Sequence, residues 1–133
     1  MKGKIEIKSD KSLIQIRRKL RELATSLGFG LTDTTRIITA ASELVRNVVI
    51  FAKSGIMVWE IIEDQDKRGI KLIFEDEGPG ILDIEKAKKE GYSTGNGLGK
   101  GLSGTKLLMD EMEIVSEVGK GTKITVVKWL WTK

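Results

Sequence analysis

Residues 76–104, DEGPGILDIEKAKKEGYSTGNGLGKGLSG, hold eight of the fifteen glycines and the only proline of the chain. Ahead of this stretch Ile70-Lys71-Leu72-Ile73-Phe74-Glu75 reads as a strand, and behind it Thr105-Lys106-Leu107-Leu108-Met109 reads as the opening of a helix. The glycine-rich stretch therefore joins strand to helix. Glycine permits positive φ and lets a ligand approach the backbone closely, while the amides that open a helix present donors and a positive dipole end to an anion. Phosphates suit such a loop. A flexible surface loop has the same composition, and the stretch by itself fits both.

The rest of the chain is patterned as alternating elements. Lys4-Ile5-Glu6-Ile7-Lys8 alternates apolar and charged residues as a half-buried strand does. Ser9 or Asp10 caps a helix whose apolar seam, Leu13, Ile16, Leu20, Leu23 and Leu27, recurs at spacings of three and four before Gly28 closes it. Thr32 or Asp33 caps a second helix to about Ala52, with Lys53, Ser54 and Gly55 at its end. Residues 56–63 and 69–75 read as strands joined by the polar turn 64–68, a hairpin signal. After the glycine-rich loop come a helix over about 102–111, a strand over 113–118, a turn at Gly119-Lys120-Gly121 and a strand over 122–130, which form a second hairpin. No repeat or linker divides the 133 residues, so one domain is expected over 1–133.

Composition narrows the chemistry. The chain has no cysteine and no histidine, which excludes disulfides, thiol nucleophiles, histidine acid–base catalysis and structural zinc. Catalysis is left to carboxylates, lysines, hydroxyls or a bound metal. No apolar run is long enough to span a bilayer and no signal-peptide pattern opens the chain, so no membrane partner and a cytoplasmic location are expected. The net charge of +4 is concentrated in residues 1–30, which hold eight Lys/Arg against three Asp/Glu. These basic residues lack interleaved aromatics, so they read as a solvated helix face rather than a nucleic-acid surface. Trp59, Trp129 and Trp131 read as strand packing rather than ligand contacts.

The second helix has two faces. At 100° per residue Ile37, Ile38, Ala41, Leu44, Val45 and Val48 form an apolar one, while Arg36, Thr39, Glu43, Arg46 and Asn47 gather opposite. Glu43 and Asn47 sit one turn apart, where a carboxylate and an amide oxygen can converge on a hydrated cation and a nearby water or hydroxyl. On an isolated amphipathic helix such a pair is usually a solvated face, so its meaning depends on the neighbouring motifs.

Taken in order, Glu43-Leu44-Val45-Arg46-Asn47, Asp76-Glu77-Gly78-Pro79-Gly80, Gly97-Leu98-Gly99-Lys100-Gly101 and Gly119-Lys120-Gly121-Thr122 resemble the four boxes of the GHKL (Bergerat-fold) ATPases and kinases, over nearly the whole chain. Within that superfamily the compact length, the SELVRN segment at 42–47 and the lack of a phospho-accepting histidine domain resemble the anti-sigma-factor serine/threonine kinases, in particular the switch kinase of the stressosome. The resemblance implies an α/β (α+β) two-layer sandwich, a mixed and mostly antiparallel sheet with helices on one face. It also implies ATP and Mg2+ as cofactors. By the same resemblance Glu43 is the general base that orients an attacking hydroxyl and Asn47 a ligand of the magnesium ion. Asp76 accepts a hydrogen bond from the adenine amino group, Gly78 and Gly80 let the purine lie against the backbone, and Thr122 supports it. Residues 81–96 are the lid, and Gly97, Gly99 and Gly101 donate amides to the phosphates, with Lys100 as a secondary contact.

Ser42 stands where sensor histidine kinases often carry histidine, which favours serine or threonine acceptors over histidine. Arg46 pairs with a phosphate or with Glu43, and sequence does not separate the two. The partners implied by the resemblance are STAS-domain antagonist proteins, phosphorylated in a bacterial stress-response partner-switching pathway, and a PP2C-type phosphatase activated by binding. The alternative is a non-catalytic, nucleotide-dependent binding module of anti-sigma type. A basic nucleic-acid-binding domain rests only on residues 1–30 and would show a steep salt dependence.

Overall fold

The structure of the chain, a computed structural model, describes residues 1–78 and 98–131 and, for 98–101, the backbone alone. Gly80, Gly97, the 81–96 lid and the side chain of Lys100 lie outside the described residues. The chain order is β1 (Lys2–Ile7), α1 (Ser12–Leu27), α2 (Leu31–Ala52), β2 (Gly55–Asp64), β3 (Lys67–Asp76), α3 (Leu98–Leu108), β4 (Glu111–Glu117) and β5 (Gly121–Trp131). The strands form one sheet in the order β1-β2-β3-β5-β4. Every pairing in it is antiparallel, so the parallel component expected of a mixed sheet is absent among the described strands.

Alternation along the strands builds the core. Ile5 and Ile7, Met57 and Trp59, Ile70, Leu72 and Phe74, Ile114, and Ile124 and Val126 are buried, and each set shares one face of its strand at a period of two. Against that face lie the α1 seam Leu13, Ile16, Leu20 and Leu23, the α2 face Ile37, Ala41, Leu44, Val45 and Val48, and Leu102 of α3. Trp59 belongs to this core: a Cβ on Gly3 across the β1–β2 pair would lie 2.7 Å from its indole. Trp131, by contrast, is 67% exposed at the end of β5.

Helix ends depart in part from the side-chain caps expected of Ser9, Asp10, Thr32 and Asp33: Ser9 Oγ does accept the Lys11 amide, at 3.2 Å. Lys11 caps α1 without a side-chain hydrogen bond. The carbonyls of Ser9 and Asp10 instead accept the Ser12 and Leu13 amides at 3.0 and 3.1 Å, and Ser12 Oγ accepts the Lys8 amide at 3.0 Å. Gly30 caps α2, and Asp33 falls inside the first turn, where its charge complements the helix dipole and pairs with Arg36 at 3.0 Å. Gly28 ends α1 in the left-handed conformation (φ 101°), as its position implies. The β2–β3 hairpin turns tightly through Gln65 and Asp66, with Asp64 opposite Lys67 and Gln65 at φ 51°.

The third helix starts four residues before the expected 102 and ends at Leu108, so Gly99 and Gly101 lie in its first turn. Their low helix propensity is offset by packing, because Leu102 and Thr105 are fully buried where α3 meets α2. The far end of α3 is held by Lys128 of β5, a buried lysine that no sequence pattern marked. Its ammonium donates to the Leu108 carbonyl at 3.1 Å and lies 3.4 Å from Asp110 and 3.8 Å from Asp33. Three oxygen partners, two of them anionic, balance the desolvation of that charge.

The core assignment has a measurable consequence. Leu72 is fully buried at the centre of the sheet, and Leu72→Ala is expected to lower unfolding free energy by about 2–5 kcal/mol in urea titration. A loss under about 1 kcal/mol would show that the position is not core.

Candidate nucleotide site

The site is built on one row of residues that crosses all five strands: Ile7, Gly55, Asp76, Thr122 and Ser116 are successive cross-strand partners. The row lies on the sheet face that Phe74, Ile114 and Ile124 share with the core, so its side chains are directed at the helix layer. Asp76 ends β3 and accepts the Gly78 amide on Oδ1 at 2.9 Å and the Thr122 backbone amide from β5. Burial raises its pKa from the ordinary aspartate value, and the two backbone hydrogen bonds only partly offset the rise. On the side of Glu6 and Ser54, Asp76 borders a cleft of about 650 Å³, so the carboxylate is not sealed into the core.

Glycines surround this carboxylate because nothing larger fits. A Cβ on Gly55 would lie 2.4 Å from the Glu75 carbonyl and 2.9 Å from Val48 Cγ1; on Gly78 it would lie 2.6 Å from Ala52 Cβ. Gly121, at φ 120°, would place a Cβ 2.1 Å from the Asp76 carbonyl oxygen. Val48 and Ala52 both belong to α2, so the helix that carries Glu43 and Asn47 is packed directly onto the strand ends around Asp76. The structure thus joins Asp76, Gly78 and Thr122 by direct contact and connects them to α2. Thr122 also meets Ser116, its hydroxyl 3.0 Å from Ser116 Oγ. Sequence reasoning selected Gly78 and missed Gly55 and Gly121 as close-approach positions, since their partners are distant in the chain.

On α2, Glu43 and Arg46 form an ion pair at 2.8 Å. Asn47, one turn beyond Glu43, has a buried Nδ2 with no hydrogen-bond partner among the described residues. An orphaned buried NH2 donor of this kind costs about 1–3 kcal/mol unless an acceptor, such as an oxygen of a bound ligand, completes it. A carboxamide oxygen is a hard ligand of the type magnesium takes, and magnesium commonly uses one or two protein ligands with water and phosphate completing the shell. No cluster of three acidic, histidine or cysteine side chains that could cage a metal occurs among the described residues. The donor set therefore fits a metal carried in by phosphates rather than one held by protein alone.

Ser42 is buried and fully engaged. Its hydroxyl donates to the Ile38 carbonyl at 2.7 Å and accepts Arg17 Nε at 3.1 Å, tying α1 to α2 beside Glu43. The first turn of α3 contains the backbone amides of residues 98–101, which by helix geometry have no intrahelical acceptor. Gly99 and Gly101 thus lie within the helix end rather than ahead of it.

The raised pKa of Asp76 has a defined sign. The folded protein holds this proton more tightly than the unfolded chain, so the contribution of Asp76 to stability falls as pH rises from the ordinary aspartate range through its higher folded pKa. Asp76→Asn removes the titration while keeping an oxygen for the Gly78 amide. The stability of Asp76→Asn relative to wild type is expected to rise between acid and neutral pH in urea titrations without nucleotide, and a difference that falls with pH would contradict the burial argument.

Comparison with known proteins agrees with this geometry. Residues 32–131 match the family model described as histidine kinase-, DNA gyrase B-, and HSP90-like ATPase. The chain is 45% identical over 126 residues to the serine/threonine-protein kinase RsbT of Bacillus subtilis, covering 95% of each. It is 33% identical over 120 residues to the anti-sigma F factor of Thermoanaerobacter sp. (strain X514), covering 86% of this chain and 82% of that protein. Among solved structures, the fold superimposes on the RsbU and RsbW domains of Rv1364c from Mycobacterium tuberculosis with a TM-score of 0.63 at 18% identity, covering 96% of this chain and 31% of that one. The mycobacterial sensor histidine kinase MprB gives 0.59 at 14% identity, covering 96% of this chain and 97% of the other. By the family match and these relatives, the chain belongs to the histidine kinase-, DNA gyrase B- and HSP90-like ATPase family, as a GHKL-type kinase similar to RsbT and the anti-sigma F factors.

Proposed function

We propose that the protein is an ATP- and magnesium-dependent serine/threonine protein kinase that phosphorylates STAS-domain antagonist proteins in a bacterial stress-response partner switch, and that it activates a PP2C-type phosphatase by binding it. The observation that carries the reading is the cradle of Asp76, Gly78 and Thr122, packed against the helix that holds Glu43 and Asn47 one turn apart. Similarity to RsbT along nearly the whole chain supports the same activity.

Magnesium ATP, when bound, supplies the transferable phosphoryl group and the charge neutralisation that in-line transfer requires. The protein's own residues do the rest. Asp76, oriented by the amides of Gly78 and Thr122, keeps lone pairs for the adenine amino group, which only donates. Gly78 and Gly80 admit the purine against the backbone. Asn47 offers its oxygen to the metal. The amides of α3's first turn, with Gly97 ahead of them and Lys100 beside them, take the phosphate oxygens, under a lid at 81–96. Glu43 orients the acceptor hydroxyl and accepts its proton.

The anti-sigma F factor relatives support a second reading, a nucleotide-dependent module that sequesters a regulator without transferring phosphate. Phosphate incorporation into a STAS-domain partner, measured beside nucleotide affinity, separates the two. Glu43→Ala is expected to retain nucleotide and lose about 10²–10⁴ in transfer rate. Asn47→Ala is expected to weaken magnesium-dependent ATP binding as well, and Asp76→Asn to weaken ATP and ADP alike. Undiminished transfer by Glu43→Ala would remove the base assignment, and no transfer by wild type would favour the binding module.

A further inference from the structure

A groove of about 310 Å³ between α1 and α2 opens beside Glu43 and is lined by Arg17, Arg21, Thr39, Ser42 and Arg46. Three arginines and one carboxylate, Glu43, line it. Arg17 is held in place by Ser42 Oγ, and Arg46 is engaged with Glu43. Arg21, one turn beyond Arg17, is exposed and has no hydrogen-bond or ion-pair partner among the described residues. Arginine presents a planar fork matched to carboxylates. No aromatic ring among the described residues lines the groove, so these residues offer no stacking platform of the kind a single-stranded nucleic-acid channel uses.

We infer that this groove receives an acidic stretch of the acceptor protein beside the hydroxyl to be phosphorylated, and that an incoming carboxylate takes Arg46 away from Glu43. The inference rests on the kinase reading above. The Glu43–Arg46 pair is exposed, at 45% for Arg46 and 39% for Glu43, and joins residues three apart on one helix. Pairs of this type are weak. Exchanging one carboxylate for another leaves Arg46 paired and returns Oε1 of Glu43 to the reaction. Arg17 and Arg21 bring the acidic segment to that position and give the exchange its direction. Glu43 is then available as a base chiefly when the acceptor is docked, which suppresses transfer to water in its absence.

Steady-state phosphate transfer to a STAS-domain acceptor, acceptor binding by calorimetry and acceptor-free ATP hydrolysis test this with wild type, Arg21→Glu and Arg46→Ala. Arg21→Glu is expected to raise the acceptor KM and Kd about tenfold or more, with ATP affinity unchanged. Arg46→Ala is expected to raise acceptor-free hydrolysis several-fold, because it frees Glu43 permanently. An acceptor Kd and KM within about twofold of wild type in Arg21→Glu overturns the groove, even where wild-type transfer is robust. Unchanged hydrolysis in Arg46→Ala overturns the exchange. A wild type that neither binds nor modifies the acceptor overturns this inference together with the kinase reading. Binding of a single-stranded oligonucleotide that Arg21→Glu abolishes, with acceptor binding intact, would assign the groove to nucleic acid instead.

Discussion

The approach of three strand ends around the Asp76 carboxylate is the constraint on which the remaining architecture depends. Its oxygens take amides from the loop just past β3 and from the start of β5, and its backbone lies between β2 and β5. Such closeness requires bare Cα positions at Gly55, Gly78 and Gly121. Because Gly55 and Gly78 pack on Val48 and Ala52, the same closeness sets the height of α2 above the sheet. A carboxylate that burial disfavours is thus held where two backbone donors and a neighbouring cleft keep it usable as an acceptor.

The helix layer complements this row. Helix α2 presents Val45 and Val48 to the core and Glu43 and Arg46 to the other side, so core packing and the proposed chemistry occupy different faces of one element. Ser42 lies at the border between them. Its small hydroxyl fits a buried position and satisfies both a carbonyl of its own helix and a guanidinium from α1.

Local signals in the sequence marked most of this. The α1 seam, the left-handed Gly28, the β2–β3 hairpin and the two faces of α2 follow from periodicity and turn chemistry over a few residues. Asp76, Gly78 and Thr122 were legible as parts of ordered motifs, and the structure brings those three together. What was not legible depends on contacts between distant segments. Gly55 reads locally as a helix terminator, yet its lack of a side chain also answers to Glu75 and Val48. Lys128 reads as one more polar residue of a terminal strand, yet it is buried among Leu108, Asp110 and Asp33. The early start of α3 is set by the burial of Leu102 against the core, which outweighs glycine propensity.

The Lys128 anchor gives α3 the mechanics of a lever. Its C-terminal end is tied to β5 and to the start of α2, whereas its first turn carries amides without an intrahelical acceptor. With eleven residues α3 is roughly 16 Å long, so a tilt of about 10° about the anchored end displaces the first turn by about 3 Å and the last turn hardly at all. A hydrogen-bond donor moved 3 Å is a donor disengaged. Leu102, fully buried about 9 Å along the helix from that anchor, would move about 1.5 Å in the same tilt, so its packing in the core is what holds the amides of the first turn in place.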